Sequence, residues 1–371
     1  MDFIDLKAQQ KSIKDKIDKR IQSVLSHGKY IMGPEVYELE ERLADYVGSK
    51  YCVSCSSGTD ALLIPLIAKG VGPGDAVITT PFTYIATAEV ISLLGAEPVF
   101  VDIYPGTFNM DPSGIKNAIE HAKNNGLNPK AIIPVDLFGL PARYRLIEEI
   151  ANEYNLFILE DAAQGFGGSI RNKKAASFGH AAATSFFPAK PLGCYGDGGA
   201  IFTDDEDLAL TMKSIRVHGS GSDKYENIQI GLNGRLDTFQ AAILLEKLLI
   251  FDEELKQRNK AARFYSKAIG SDFQKPIIPK DYSSSWAQYS ILTASEKERF
   301  RIMSRLKEQN IPSMIYYRIP LHMQKVFDYL GYTKGDFPLS EKISSQIFSI
   351  PMHPYLKKKQ QIKIIEVLNN G

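Results

Sequence analysis

Apolar positions in the first two-thirds of the chain follow two alternating spacings. Over residues 36–47, Val36, Leu39, Leu43, Tyr46 and Val47 recur every three to four positions, the period of a helix with one buried face. Short β-rich runs come next: 51–55, 76–80, 98–103, 131–136, 157–160, 182–187 and 200–203 read as strands. Helix-like stretches separate most of them, at 58–69, 86–94, 114–124, 144–154 and 206–217. This alternation predicts an α/β domain around a largely parallel, seven-stranded sheet. Residues 236–269 read as one long helix or a bent pair, with no glycine or proline until Gly270. A strand at 286–292, a helix at 297–309, a strand at 313–317 and a last helix near 360–368 then describe a smaller α+β unit. The expected division is a large domain over 1–248 and a small one over 249–371.

Length and charge narrow the possible functions. A chain of 371 residues suits about two domains and can bury a large core without staples. Lys and Arg total 44 against 43 Asp and Glu, a formal charge of +1. No basic excess is present to neutralise a phosphate backbone, so no nucleic-acid polymer is expected as partner. Three cysteines do not make a disulfide framework and fit a reducing compartment. The first twenty residues hold no continuous apolar stretch, and the densest apolar run, 61–68, is too short to span a bilayer. A cytoplasmic protein without a membrane partner is expected.

In open α/β sheets ligands bind beyond the carboxyl ends of the strands, so the residues after each predicted strand carry the candidate chemistry. After 51–55 comes Ser57-Gly58-Thr59, which reads either as a simple helix cap or as a phosphate cradle at a helix start. The spacing of a Walker loop is absent. After 76–80 comes an aromatic, Tyr84. After 157–160 comes Asp161, either a cap or a buried acid awaiting a cation. After 182–187 comes Lys190, either one more surface lysine or an amine that desolvation turns into a nucleophile. Cys52 and Cys55 form a C-x-x-C match, but positions i and i+3 of a strand point to opposite faces, and no second pair completes a metal site. The six histidines lack ligand spacing, and no metal is expected.

Taken together, a lysine, an acid, an anion cradle and an aromatic cover fit pyridoxal 5′-phosphate (PLP). That cofactor takes an imine-forming lysine (Lys190), a carboxylate beside its pyridine nitrogen (Asp161), a phosphate site (Ser57, Gly58, Thr59 and Ser185) and a flat cover (Tyr84).

At these residues the chain resembles the DegT/DnrJ family of nucleotide-sugar aminotransferases. The resemblance runs from FIDL near the start to SIPMHPYL near the end, strongest in SSGTDAL, TPFTYIATAEVI, EDAAQ, SFFPAKPLGCYGDGGA and GLNGRLDTFQAAIL. It implies the fold type I architecture of PLP-dependent transferases and Lys190 as the Schiff-base lysine and proton shuttle. By the same resemblance Gln164 meets the cofactor's ring hydroxyl, and Ala163 packs on one ring face. Asn233 reaches the phosphate from a partner subunit, so a homodimer with shared active sites is implied. Arg235 reaches a substrate or the amino donor, and Tyr317 and His322 border the sugar. The implied reaction is ping-pong, with L-glutamate as donor and a nucleotide-linked ketosugar as acceptor, for surface glycan synthesis. Relatives that act as dehydrases carry histidine in place of the lysine, and Lys190 points away from them. The segments VDLFGLP, WAQYS and PSMIYY favour C4 of a UDP-linked 4-keto-6-deoxy-N-acetylhexosamine. The alternative is C3 of a UDP-linked 3-keto-N-acetylhexosaminuronate, whose carboxylate would want a cation such as Arg318. A non-catalytic PLP-binding regulator is the reading from a different class.

Overall fold

The computed structural model describes residues 1–223 and 225–370. In chain order the elements open with α1 (Leu6–His27), α2 (Pro34–Val47), β1 (Tyr51–Cys55), α3 (Gly58–Ala68), β2 (Asp75–Thr79), α4 (Ala86–Leu93) and β3 (Glu97–Phe100). Next come α5 (Ile115–Asn124), β4 (Asn128–Ile132), α6 (Tyr144–Tyr154), β5 (Phe157–Asp161), the short pair β6 (Ser169–Ile170) and β7 (Lys173–Lys174), β8 (Ala181–Ser185), β9 (Gly199–Thr203) and α7 (Glu206–Ile215). The remainder is α8 (Thr238–Ala268), β10 (Tyr282–Ser283), β11 (Tyr289–Leu292), α9 (Glu296–Glu308), α10 (Pro338–Gln346), β12 (Ile347–Ile350) and α11 (Lys358–Asn369).

Seven strands form the main sheet in the order β1-β9-β8-β5-β4-β2-β3. Pairing is parallel from β8 through β5, β4 and β2 to β3, and antiparallel only where β9 meets β8 and β1. The carboxyl ends of β1, β2, β5 and β8 therefore open on one edge. Strand periodicity sorts the core into two faces. Val53, Cys55, Leu159, Ala181 and Ala183 pack beneath α3 and α7. Cys52, Ala182 and Phe202 face α2 and α8, while Ile78, Ile132 and Ile158 face α5 and α6. Cys52 and Cys55 thus lie in separate cores, both buried and unpaired.

Helix α8 joins two cores. Ala241, Leu244, Leu245 and Phe251 pack with the large sheet, whereas Ala261, Ala262 and Tyr265 pack with β11, β12, α9 and α11. A division at 248/249 cuts this single helix. The amino terminus also crosses that line: Met1 joins the C-terminal core, and the Phe3 ring lies 6.3 Å from that of Tyr316.

Some expected elements shift or change. The strand expected at 286–292 starts at Tyr289, because Trp286 sits at φ +52°, a left-handed conformation no strand accommodates. The expected strand at 313–317 shrinks to one bridge between Met314 and Ser349, on the edge of β12 opposite β11, and β12 itself is not signalled by local pattern. Among the described residues no helix is long and apolar enough to cross a membrane, and no three His, Cys, Asp or Glu side chains gather as a metal site.

Candidate active site

The carboxyl edge of the large sheet gathers the chemical groups. Asp161 closes β5 and is only 5% exposed. Its Oδ2 accepts from Thr87 Oγ1 at 2.8 Å, and its Oδ1 from the Ala163 N–H at 3.1 Å. Burial raises the acid above the usual carboxylate range, while Thr87, Ala163 and the positive charge of Lys190 pull it back. Lys190 follows β8, its N–H bonded to the Phe187 carbonyl at 2.8 Å. Part of its side chain still reaches solvent, yet burial of the ammonium lowers it below the usual lysine range, with the Asp161 charge opposing. A lysine that sheds its proton more readily beside a buried acid is equipped as a nucleophile and proton carrier.

The first turn of α3 lies beside the end of β8. Ser57 Oγ caps the helix by accepting from the Asp60 N–H at 3.0 Å, so the bland reading of this serine holds for its side chain. Within the helix, the N–H groups of Gly58 and Thr59 have no acceptor of their own. Gly58 is required by contact: a Cβ there would stand 2.5 Å from Ser185 Cβ and 2.9 Å from its Oγ. Gly199, opposite Ser185 in the ladder, is required likewise, since a Cβ would meet the Ser57 carbonyl oxygen at 2.3 Å. Small residues thus draw the helix start, the Ser185 hydroxyl and the strand end into one corner whose free N–H groups and hydroxyl suit an anion.

Gln164 is buried, and its amide is oriented from both ends. Oε1 accepts from the Phe138 N–H at 2.7 Å, and Nε2 donates to the Tyr317 hydroxyl at 2.9 Å. Tyr317 packs edge-on against Phe82 and 6.4 Å from Tyr84. Tyr84 is 56% exposed and leaves its ring available as a cover. Ala163 sits half-buried beside Asp161. These groups fit PLP: an acid with spare acceptor capacity beside a cationic partner, a donor amide, a small-residue anion corner and an open aromatic face.

Other expected residues lie elsewhere. Asn233 is exposed, and its Oδ1 accepts from Arg235 Nε at 3.1 Å. Among the described residues, no hydrogen bond joins either to Lys190, Asp161 or Ser185. His322, expected to border the sugar, is buried. It is 2% exposed, its Nε2 lies 3.1 Å from Glu341 Oε1, and its ring packs edge-on to Phe337 at 4.7 Å. The 3₁₀ turn Leu321–Met323 that carries it is tied to the residue after β2, with the Leu321 N–H bonded to the Pro81 carbonyl at 2.8 Å and the Leu321 side chain packed with Ala88, Phe100, Phe327 and Phe337.

Sequence reasoning missed Thr87, which holds Asp161. Its signal was present in TPFTYIAT: hydroxyls at 83 and 87, one helical turn apart, lie 3.0 Å from each other. It also left Asp136 without a role. Asp136 is fully buried beside Glu160. Its Oδ1 accepts from the Ala142 N–H at 2.9 Å and the Tyr144 hydroxyl at 2.7 Å. Glu160 accepts from the N–H groups of Ala176 and Phe178, both at 2.7 Å. Burial raises both acids.

Fold and site together define a PLP-dependent enzyme of fold type I. The chain belongs to the DegT/DnrJ/EryC1/StrS aminotransferase family, which matches residues 11–369. It is 50% identical to UDP-2-acetamido-2-deoxy-3-oxo-D-glucuronate aminotransferase of Pseudomonas aeruginosa, over 98% of each chain. Its structure superposes on a DegT DnrJ EryC1 StrS aminotransferase from Brucella abortus with a TM-score of 0.97 at 48% identity, covering 100% of this chain and 99% of the other. NtdA from Bacillus subtilis, solved with bound cofactor PMP, matches with a TM-score of 0.88 at 32% identity, over 95% of this chain and 80% of the other. The chain is a nucleotide-sugar aminotransferase.

Proposed function

We propose that this enzyme transfers the amino group of L-glutamate to C3 of a UDP-linked 3-keto-N-acetylhexosaminuronate. The observation that carries this reading is the end-to-end likeness to a relative named for a 3-oxo-glucuronate substrate. The C4 acceptor expected from short segments gives way to it, because a match over 98% of both chains outweighs three segments. Arg318, exposed on the loop beyond Tyr317, offers the cation that a uronate carboxylate requires.

Bound at the sheet edge, PLP supplies the carbon that carries nitrogen between the two substrates and a ring that takes up the electron pair of a broken C–H bond. The chain's own groups do the rest. Lys190 is the covalent anchor, and its Nζ takes the proton from Cα of glutamate and later delivers one to C3 of the sugar. Asp161 keeps the pyridine nitrogen protonated. Gln164, with Oε1 held by Phe138 and one Nε2 hydrogen given to Tyr317, would offer its second Nε2 hydrogen to the ring hydroxyl. Tyr84 and Ala163 cover the two ring faces. Ser57, Gly58, Thr59 and Ser185 hold the phosphate, joined by Asn233 of a second copy in a homodimer. Arg235 and Tyr317 border the substrates.

The test is a panel of ketosugar nucleotides with L-glutamate, read by product mass, position of the new amine and release of 2-oxoglutarate. The 3-keto-uronate should give the C3 amine. Amination of the 4-keto-6-deoxy sugar instead would overturn the reading. Release of no 2-oxoglutarate with any ketosugar would favour the regulatory alternative.

A further inference from the structure

The turn that carries Lys190 is short of backbone pairing beyond its two ends. At its start the Lys190 N–H bonds the Phe187 carbonyl; at its base the Cys194 N–H bonds the Phe186 carbonyl at 2.7 Å, and the Phe186 N–H bonds the Gly198 carbonyl at 2.7 Å. The tip between them, 191–195, is held from beneath by side chains of α8. Lys247 Nζ donates to the Gly193 carbonyl and stands 4.4 Å from the centre of the Tyr195 ring. Seven residues earlier, on the same helical face, Gln240 Oε1 accepts from the Tyr195 N–H at 2.9 Å.

Lys247 is an unusual occupant of this position. It has no exposed surface, and among the described residues no carboxylate lies within ion-pair distance of it. The titratable groups that act on it are Glu254, on the same helix, and the thiol of Cys194, in the turn, which burial raises and keeps neutral. Glu254 is itself engaged by Gln9 and Tyr355. From α1, Ile13 and Ile17 pack beside Tyr195 and bring no charge. A buried ammonium without a carboxylate is unfavourable where methionine would fill the same space. Its presence here calls for a task that filling space does not perform.

We infer that Lys247 is a positioning residue, which with Gln240 clamps the 191–195 turn onto α8 and so fixes where Lys190 stands relative to Asp161. This rests on the reading of Lys190 as the anchor. Two of the three ammonium hydrogens are directed at the carbonyl and the aromatic face, so the clamp has direction as well as charge. Neither Lys247 nor Gln240 touches the reacting atoms.

The test compares the full-length, PLP-loaded chain with K247M, K247R and Q240L. Two quantities are read: amide hydrogen exchange over 186–198, and the pH midpoint of the absorbance change of the borohydride-reducible adduct. K247M should speed exchange in 186–198 by about tenfold or more while leaving β8 and β9 unchanged. It should move the absorbance midpoint by roughly half a pH unit or more. K247R should recover most of both, and Q240L should fall between. Wild-type exchange and midpoint in K247M would overturn the inference and leave Lys247 as core filling. If K247M does not fold, Q240L decides: faster exchange at the turn supports the clamp, and unchanged exchange overturns it. A reduced adduct on another lysine would count against the Lys190 reading, whereas the exchange data judge the clamp separately.

Discussion

The carboxyl edge of the large sheet and the loop at 313–322 meet at the hydrogen bonds from Gln164 to Tyr317 and from Leu321 to Pro81, but they are built by different rules. On the sheet side Asp161, Gln164 and Ser185 are buried and tied to neighbouring backbone or hydroxyl groups. On the loop side Arg318 and Ile319 are exposed, and Met314 makes a lone bridge. The difference separates two tasks. Cofactor chemistry is the same for every acceptor and is fixed by strand ends and helix starts. Acceptor choice is left to loops that vary without disturbing the sheet.

The strongest test of this division removes the central amine. Lys190→Ala should lower amine transfer by about a thousandfold or more, with a melting temperature near that of the parent, because the residue carries protons and packs only in part. Asp161→Asn should follow at about a hundredfold, with the lysine adduct still formed, since only the support of the ring nitrogen is lost. On the loop side, Arg318→Ala should cost about tenfold in kcat/KM for the 3-keto-uronate and little for its uncharged analogue, a loss expected mainly in KM. A large kcat loss with both sugars would place Arg318 on the sheet side of the comparison. The smallest effect falls on His322: with its ring held by Glu341 and Phe337, His322→Gln should lower the melting temperature while kcat/KM stays within about threefold.

The buried pair Asp136–Glu160 sharpens the contrast within the sheet itself. Asp161 faces a cation, whereas these two acids face each other, and burial raises both. A raised acid holds its proton in the folded chain at a pH where the unfolded chain has lost it. Its contribution to stability is therefore complete below about pH 4 and is lost as pH rises toward and past neutrality. Asp136→Asn should gain stability relative to the parent over that rise, on the order of 2 kcal/mol, read from denaturation midpoints at about pH 5 and about pH 8. An unchanged pH slope would show that the pair holds no proton.

Much of the sheet side was legible in the sequence because period and position coincide there. Strand β1 and helix α6 have the expected bounds, and Asp161 closes, while Lys190 and Ser57-Gly58-Thr59 follow, strands that do open on one edge. The rest depends on tertiary packing that local pattern does not encode. Nothing local signals that His322 is buried, because Phe337 and Glu341, 15 and 19 residues later, fold over it. Lys247 carried no signal at all, since a lysine in a long helix ordinarily faces water. Trp286 begins no strand because a left-handed φ cannot be read from an apolar run.

The central claim is that Lys190, beside Asp161, is the amine that holds the cofactor. Reduction of the PLP-loaded enzyme with borohydride, digestion and peptide mass mapping test it directly. The account predicts one pyridoxyl-modified residue, Lys190, with the modification gone in Lys190→Ala. A label on Lys247, the buried lysine that burial lowers to about 8, or on any lysine remote from Asp161, would contradict it.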